Sequence, residues 1–129
     1  MGYNDRCSIE VLKGKTLSKI DGGKQGDERI SFFCEDGSQY DMYHDQKCCE
    51  GVSVEDVIGE LADLIGQPIL DAREETNSSE NPEGITKEYQ DSFTWTFYIL
   101  ATIKGSVTIR WYGESRGYYS ESVEFEKIQ

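Results

Sequence analysis

At 129 residues, with 36% hydrophobic and 29% charged side chains, the chain has the material for one packed domain and is too apolar to stay disordered. Its formal charge of −12 argues against direct contact with nucleic acid, whose binders present a strongly positive surface. Its longest uninterrupted apolar run, Phe97 to Ala101, falls far below the ~20 residues of a membrane-spanning helix.

The start of the chain carries no basic-then-apolar leader, and Arg6 stands where a myristoylation motif needs Ser or Thr, so a cytosolic location is expected. One turn of helix is predicted between Ser8 and Gly14. Lys15 to Ile20 reads as a strand broken by Asp21-Gly22-Gly23. Arg29 to Cys34 is a strand closed by Glu35-Asp36-Gly37, and Ser38 to His44 is its hairpin partner, because Asp-Gly is a strong turn signal. From Val52 to Ile65 two readings compete. Val54, Val57, Ile58, Leu61, Leu64 and Ile65 fall at helical spacing; alternatively Val52 to Ile58 is a strand, Gly59 breaks it, and only Glu60 to Ile65 is helical. The second is favoured, since an interior Gly costs a helix about 1 kcal/mol. Ile69 to Glu75 resumes as a strand, and Thr76 to Asp91 is a long polar loop.

Phe93, Trp95, Phe97, Ile99, Ala101 and Ile103 alternate with Ser92, Thr94, Thr96, Tyr98, Leu100 and Thr102, which predicts a long strand with the first set facing the core. Lys104-Gly105 turns it, and Val107, Ile109 and Trp111 continue the apolar face on the way back. After a turn over Gly113 to Gly117, Tyr118 to Phe125 is the last strand, with Tyr119, Glu121, Val123 and Phe125 on one face. The predicted class is α+β: mainly antiparallel sheet, with a C-terminal meander and one short helix, in a single domain spanning 1–129.

Three clusters bear on chemistry. The string His44-Asp45-Gln46-Lys47-Cys48-Cys49-Glu50 holds the only His, two adjacent thiols and two carboxylates. A zinc site built there would draw on Cys34, His44 and Cys48 or Cys49 with a fourth ligand unnamed, whereas zinc prefers tight Cys-x₂-Cys pairs. A Cys48–His44 or Cys49–His44 pair is the one thiol–imidazole option for nucleophilic catalysis, without an identifiable oxyanion donor. The plainer reading is a turn with His44 hydrogen-bonded locally. The four cysteines suggest free thiols in a reducing compartment, and the glycines of Asp21 to Gly26 lack phosphate-loop spacing.

The second cluster runs from Arg110 to Glu121. Arg110, Tyr112, Tyr118 and Ser120 on an exposed hairpin would suit stacking against a nucleotide or a planar ligand; alternatively, its rings merely cover the core. The third is the acid block. Residues 1–30 carry net +1 and residues 93–129 net 0, while residues 31–92 carry net −13. Glu50, Glu55, Asp56, Glu60, Asp63, Asp71, Glu74 and Glu75, followed by Glu80 and Glu83, are candidate contacts to a basic partner, and the competing reading is a solvated face.

Tyr43 to Glu50, Asp63 to Leu70, Phe93 to Tyr98 and Arg110 to Glu121 together resemble a family of small proteins common in bacteriophages and prophages, over roughly Leu12 to Phe125. The family has Asn where this chain has Arg116. The resemblance implies a phage-type accessory protein in the host cytosol. Proteins of that kind often block host immunity, by occupying a nuclease complex or by sequestering a nucleotide signal. The reading is therefore a binding protein rather than an enzyme, with no catalytic residue, metal or cofactor expected. It would inhibit an antiphage system (anti-CRISPR-like) by occupying a basic host protein or nucleic-acid-binding complex. Nucleotide binding through Arg110, Tyr112, Tyr118 and Ser120, or a metal or thiol site at His44, Cys48 and Cys49, are the alternatives.

Overall fold

The computed structural model describes residues 6–87 and 90–129; the first five residues, read above for targeting signals, lie outside the described residues, as do two positions of the polar loop. Eight strands follow one another: β1 (Leu17–Asp21), β2 (Arg29–Cys34), β3 (Gln39–Tyr43), β4 (Gly51–Ile58), β5 (Asp71–Asn77), β6 (Ser92–Thr102), β7 (Gly105–Ser115) and β8 (Glu124–Lys127). They form two antiparallel sheets, β1-β2-β3-β8 (sheet 1) and β4-β7-β6-β5 (sheet 2).

The class is mainly β, which corrects the α+β expectation. Helix among the described residues is confined to two single 3₁₀ turns, Ile9–Leu12 and Leu61–Leu64. The predicted helix over Glu60 to Ile65 has room for only one turn between two glycines with positive φ, Gly59 and Gly66. Gly59 is required there: its φ is +108°, and a Cβ would come within 2.7 Å of the Ser106 carbonyl oxygen.

The inner faces of the sheets share one core, with Ile30, Phe32 and Met42 on one side and Val54, Leu100, Ile109 and Trp111 on the other. The Trp111 indole N–H donates to the Met42 sulfur at 3.2 Å, joining the sheets at their centre. The sheets are also laced at their margins. Gly26 N–H donates to Val54 O and Val54 N–H to Asp27 O, both at 2.8 Å, while Ile69 N–H donates to Lys15 O at 2.9 Å.

Two sequence expectations reverse here. On β6 it is Thr96, Tyr98, Leu100 and Thr102 that face inward, opposite Trp111, Ile109, Val107 and Gly105 of β7. Phe93, Phe97, Ile99 and Ala101 point outward, as does Trp95, which a loop then buries. The inward polar atoms are satisfied: the Tyr98 hydroxyl donates to Val123 O at 3.3 Å, and the Thr102 hydroxyl to Asp63 O. A residue count by polarity mistakes such a face for solvent-exposed.

The last strand is also shorter and elsewhere. Only Glu124–Lys127 is strand, and it pairs with β3 of sheet 1 rather than with β7. The meander is thus β5-β6-β7. Residues 118–123 cross between the sheets above Gly113, where a Cβ would lie 2.7 Å from Glu121 O. The buried Glu121 carboxylate fastens the crossing by accepting the hydroxyls of Ser115 and Thr94.

Candidate functional site

The turn from β3 to β4 is held from within by His44 and Glu50. His44 places Nδ1 2.7 Å from Ser122 O and Nε2 2.7 Å from Glu50 Oε2. Glu50, only 4% exposed, also accepts the amide N–H groups of Lys47 (2.8 Å) and Cys48 (2.9 Å). Burial pushes the Glu50 carboxyl up, but the His44 contact and the surrounding backbone N–H donors outweigh it and hold the group down at about 2. Gln46 completes the clasp by donating to the carbonyls of Cys48 and Glu50.

This arrangement leaves His44 no free nitrogen to activate a thiol. Cys48 and Cys49 are exposed on the far side of the turn, and Cys34 is buried in the core. A hydrogen bond with Cys48, then burial, push the Cys49 thiol up, opposite to what an activated nucleophile needs. Among the described residues, no three His, Cys, Asp or Glu side chains converge as metal ligands.

The four candidate ligand residues are not gathered. Tyr118 lines a hollow of about 300 Å³ with Cys49, Ser115, Arg116 and Tyr119. Ser120 bonds to Ser122 at 2.7 Å. Arg110 and Tyr112 lie on the outer face of sheet 2, each already engaged: Arg110 with Glu55 at 2.7 Å, and the Tyr112 hydroxyl with Gln90 at 2.8 Å.

That outer face is where part of the acid block converges. Cross-strand register sets rows across it: Asn77–Trp95–Tyr112–Ser53, then Glu75–Phe97–Arg110–Asp56, Arg73–Ile99–Thr108–Ile58, and Asp71–Ala101–Ser106. A bulge between Val54 and Asp56 lets Glu55 and Asp56 oppose a single residue, so both carboxylates reach Arg110, at 2.7 and 3.6 Å. On the other edge Arg73 is bracketed by Asp71 (3.2 Å) and Glu75 (2.7 Å). One guanidinium neutralises one carboxylate, so each rim keeps a surplus negative charge. Glu60 and Asp63 are not part of this face: Asp63 abuts Gly105 on the inward row of the β6–β7 turn, where its carbonyl accepts the Thr102 hydroxyl, and Glu60 precedes the same 3₁₀ turn.

Four of the eight predicted acidic residues, Glu55, Asp56, Asp71 and Glu75, therefore border one surface. Glu50 is buried in the turn clasp and offers no charge to a partner, which removes it from the set. Glu74 sits on the inner side of β5, where burial pushes its carboxyl up. Glu80 and Glu83 are exposed on the loop.

The floor between the rims was not foreseen. At one end the loop after β5 covers it: Asn81 accepts the Trp95 indole N–H at 3.0 Å and exchanges amide hydrogen bonds with Gln90, and the Lys87 ammonium lies 4.6 Å from the Tyr112 ring centroid. Trp95 is left with 0% exposure. At the other end Phe97, Ile99 and Ala101 are only partly buried, and Ile58 and Ile103 are 48% and 73% exposed. The signal in the sequence was that β6 is apolar on both of its faces.

No helix among the described residues is long and apolar enough to cross a membrane. No curated protein and no solved structure matches the chain. Residues 10–125 match the family described as Domain of unknown function (DUF7448), and the chain belongs to that family.

Proposed function

We propose that this protein is a small acidic binding protein of phage type, acting in the host cytosol as an inhibitor of an antiphage system by occupying a basic, nucleic-acid-binding surface. The observation that carries this reading is the gathering of Glu55, Asp56, Asp71 and Glu75 along the two rims of one face, four carboxylates answered by two arginines. Such a face attracts a surface evolved to hold phosphates, and steers its encounter at a distance.

Capture from a phage-infected host supplies the partner, and two competitions test the mode. Affinity should fall steeply as salt rises from about 50 to 200 mM, within which the screening length shortens to below ~10 Å. Duplex DNA should displace the protein from its partner. Binding that ignores both salt and DNA would sink the electrostatic reading.

The hollow beside Tyr118 supports a second reading, a small-ligand binder. Arg116 offers a cation and Tyr118 and Tyr119 offer rings for a nucleotide signal. A thermal shift with cyclic nucleotides would support it, and an unchanged melting temperature across a panel of them would dismiss it.

A further inference from the structure

We propose that the uncovered end of the outer face of sheet 2, floored by Phe97, Ile99 and Ala101 of β6 with Thr108 of β7 and Ile58 of β4, is the docking surface, and that its occupant is a lysine- and arginine-rich protein surface with apolar side chains at its centre. The proposal rests on the electrostatic reading above and adds to it a place and an apolar component.

β6 crosses the whole face, and its outward residues meet two different fates. Trp95 is sealed by the chain's own loop through Asn81, while Gln90 and Lys87 of that loop reach Tyr112 beside it. Phe97, Ile99 and Ala101, two to six residues further along the same strand, have no segment of the described chain laid over them. Apolar side chains in line along one strand and only partly buried, next to Ile58 and Ile103 at 48% and 73% exposure, mark a surface suited to being covered.

What would cover it follows from the rims. Four strands at ~4.8 Å spacing make the face ~14 Å wide, and the five residues from Phe97 to Ala101 span ~13 Å. That is a fraction of the ~800 Å² each partner contributes to a standard interface, so the floor is the centre of a footprint whose margin is the carboxylate rim. A second copy of this chain fits poorly, since its own charge is −12 and like rims would oppose one another. Addition of a strand at the edge of β5 is blunted by Arg73, Glu74 and Glu75, all exposed there. A cationic surface with aliphatic centre, docked on the face, answers both the floor and the rim.

The full chain, isotopically labelled, is titrated at low salt with a synthetic lysine–leucine amphipathic peptide and followed by NMR. The largest shifts are expected at Ile58, Ile99, Ala101 and Ile103. Ile99→Glu should weaken peptide binding about tenfold, the worth of one buried aliphatic side chain, although it adds an attractive charge. Ile58→Glu, at a more exposed position on the same row, should act in the same direction. Shifts confined to the 78–87 loop or to sheet 1, or variants that bind as well as or better than the parent, would overturn the surface while leaving the electrostatic reading intact. A peptide that fails to bind at all at low salt would overturn the reading and the surface together.

Discussion

On the outer face of sheet 1 the side chains close on one another. The Arg29 guanidinium stacks 4.4 Å from the Tyr43 ring centroid and pairs with Asp41, which also accepts from Gln39 at 3.2 Å. The Tyr43 hydroxyl donates to Glu126, and Arg6 reaches Asp45 at 2.8 Å and Glu124 at 3.6 Å. Sheet 2 is built otherwise: an apolar floor, half of it under a loop, between rims that keep more negative charge than their arginines neutralise. A face whose donors and acceptors are matched internally has little left to offer. A face with partly exposed aliphatic groups and surplus charge has more left to offer, and this contrast is why the outer face of sheet 2 is the one proposed to bind a partner.

The contrast can be broken most severely at the covered half of sheet 2. Trp95→Ala should cost about 3 kcal/mol in urea denaturation, because the ring is fully enclosed between strand and loop. A loss under about 1 kcal/mol would mean that the loop does not seal it. On sheet 1, Arg29→Ala strands the Asp41 carboxylate, 5% exposed, with Gln39 as its remaining side-chain donor. A cost of about 1.5 kcal/mol is expected by the same assay.

Acid should act on the turn clasp. Glu50 titrates lower folded than unfolded, so its stabilisation is complete above its ordinary value of 4.5 and is lost as pH falls toward about 2. Melting temperature should drop less between pH 5 and pH 2.5 in Glu50→Gln than in the parent, and parallel curves would show that the clasp does not carry the acid sensitivity. The smallest effect belongs to the open half of sheet 2. Ile99→Glu should change stability by under about 0.5 kcal/mol, since water already reaches the site, and a larger cost would place Ile99 in the core.

The sequence disclosed strands best where a glycine punctuates them. Asp36-Gly37 set the β2–β3 hairpin, with β2 at its expected bounds, and Gly59 chose strand over helix for Val52 to Ile58. It did not disclose which face of β6 looks inward, because alternation by residue type cannot weigh a Thr or Tyr whose hydroxyl finds a carbonyl inside. Nor could it show that residues 118–123 leave sheet 2. Their pattern is the same beside β7 as on the way to β3, and the decisive feature is Glu121, anchored by Ser115 and Thr94 from different strands. The carboxylates themselves were legible, yet their convergence depended on the order β4-β7-β6-β5, which brings residues 55 and 75 to opposite rims of one face. Glu50 was misread because its partners, His44 and the Ser122 carbonyl beyond it, are assembled by the crossing.

The most direct measurement sets two charge-matched double variants side by side. Asp56→Asn with Glu75→Gln removes one carboxylate from each rim of sheet 2. Asp21→Asn with Glu28→Gln removes the same charge from exposed positions in and beside sheet 1. Dissociation constants for the lysine–leucine peptide and for the captured host partner are then compared at low salt. The rim pair should weaken both by about tenfold and the distant pair by less than about twofold. Equal losses would show that binding follows net charge alone, and that the outer face of sheet 2 is not where the partner sits.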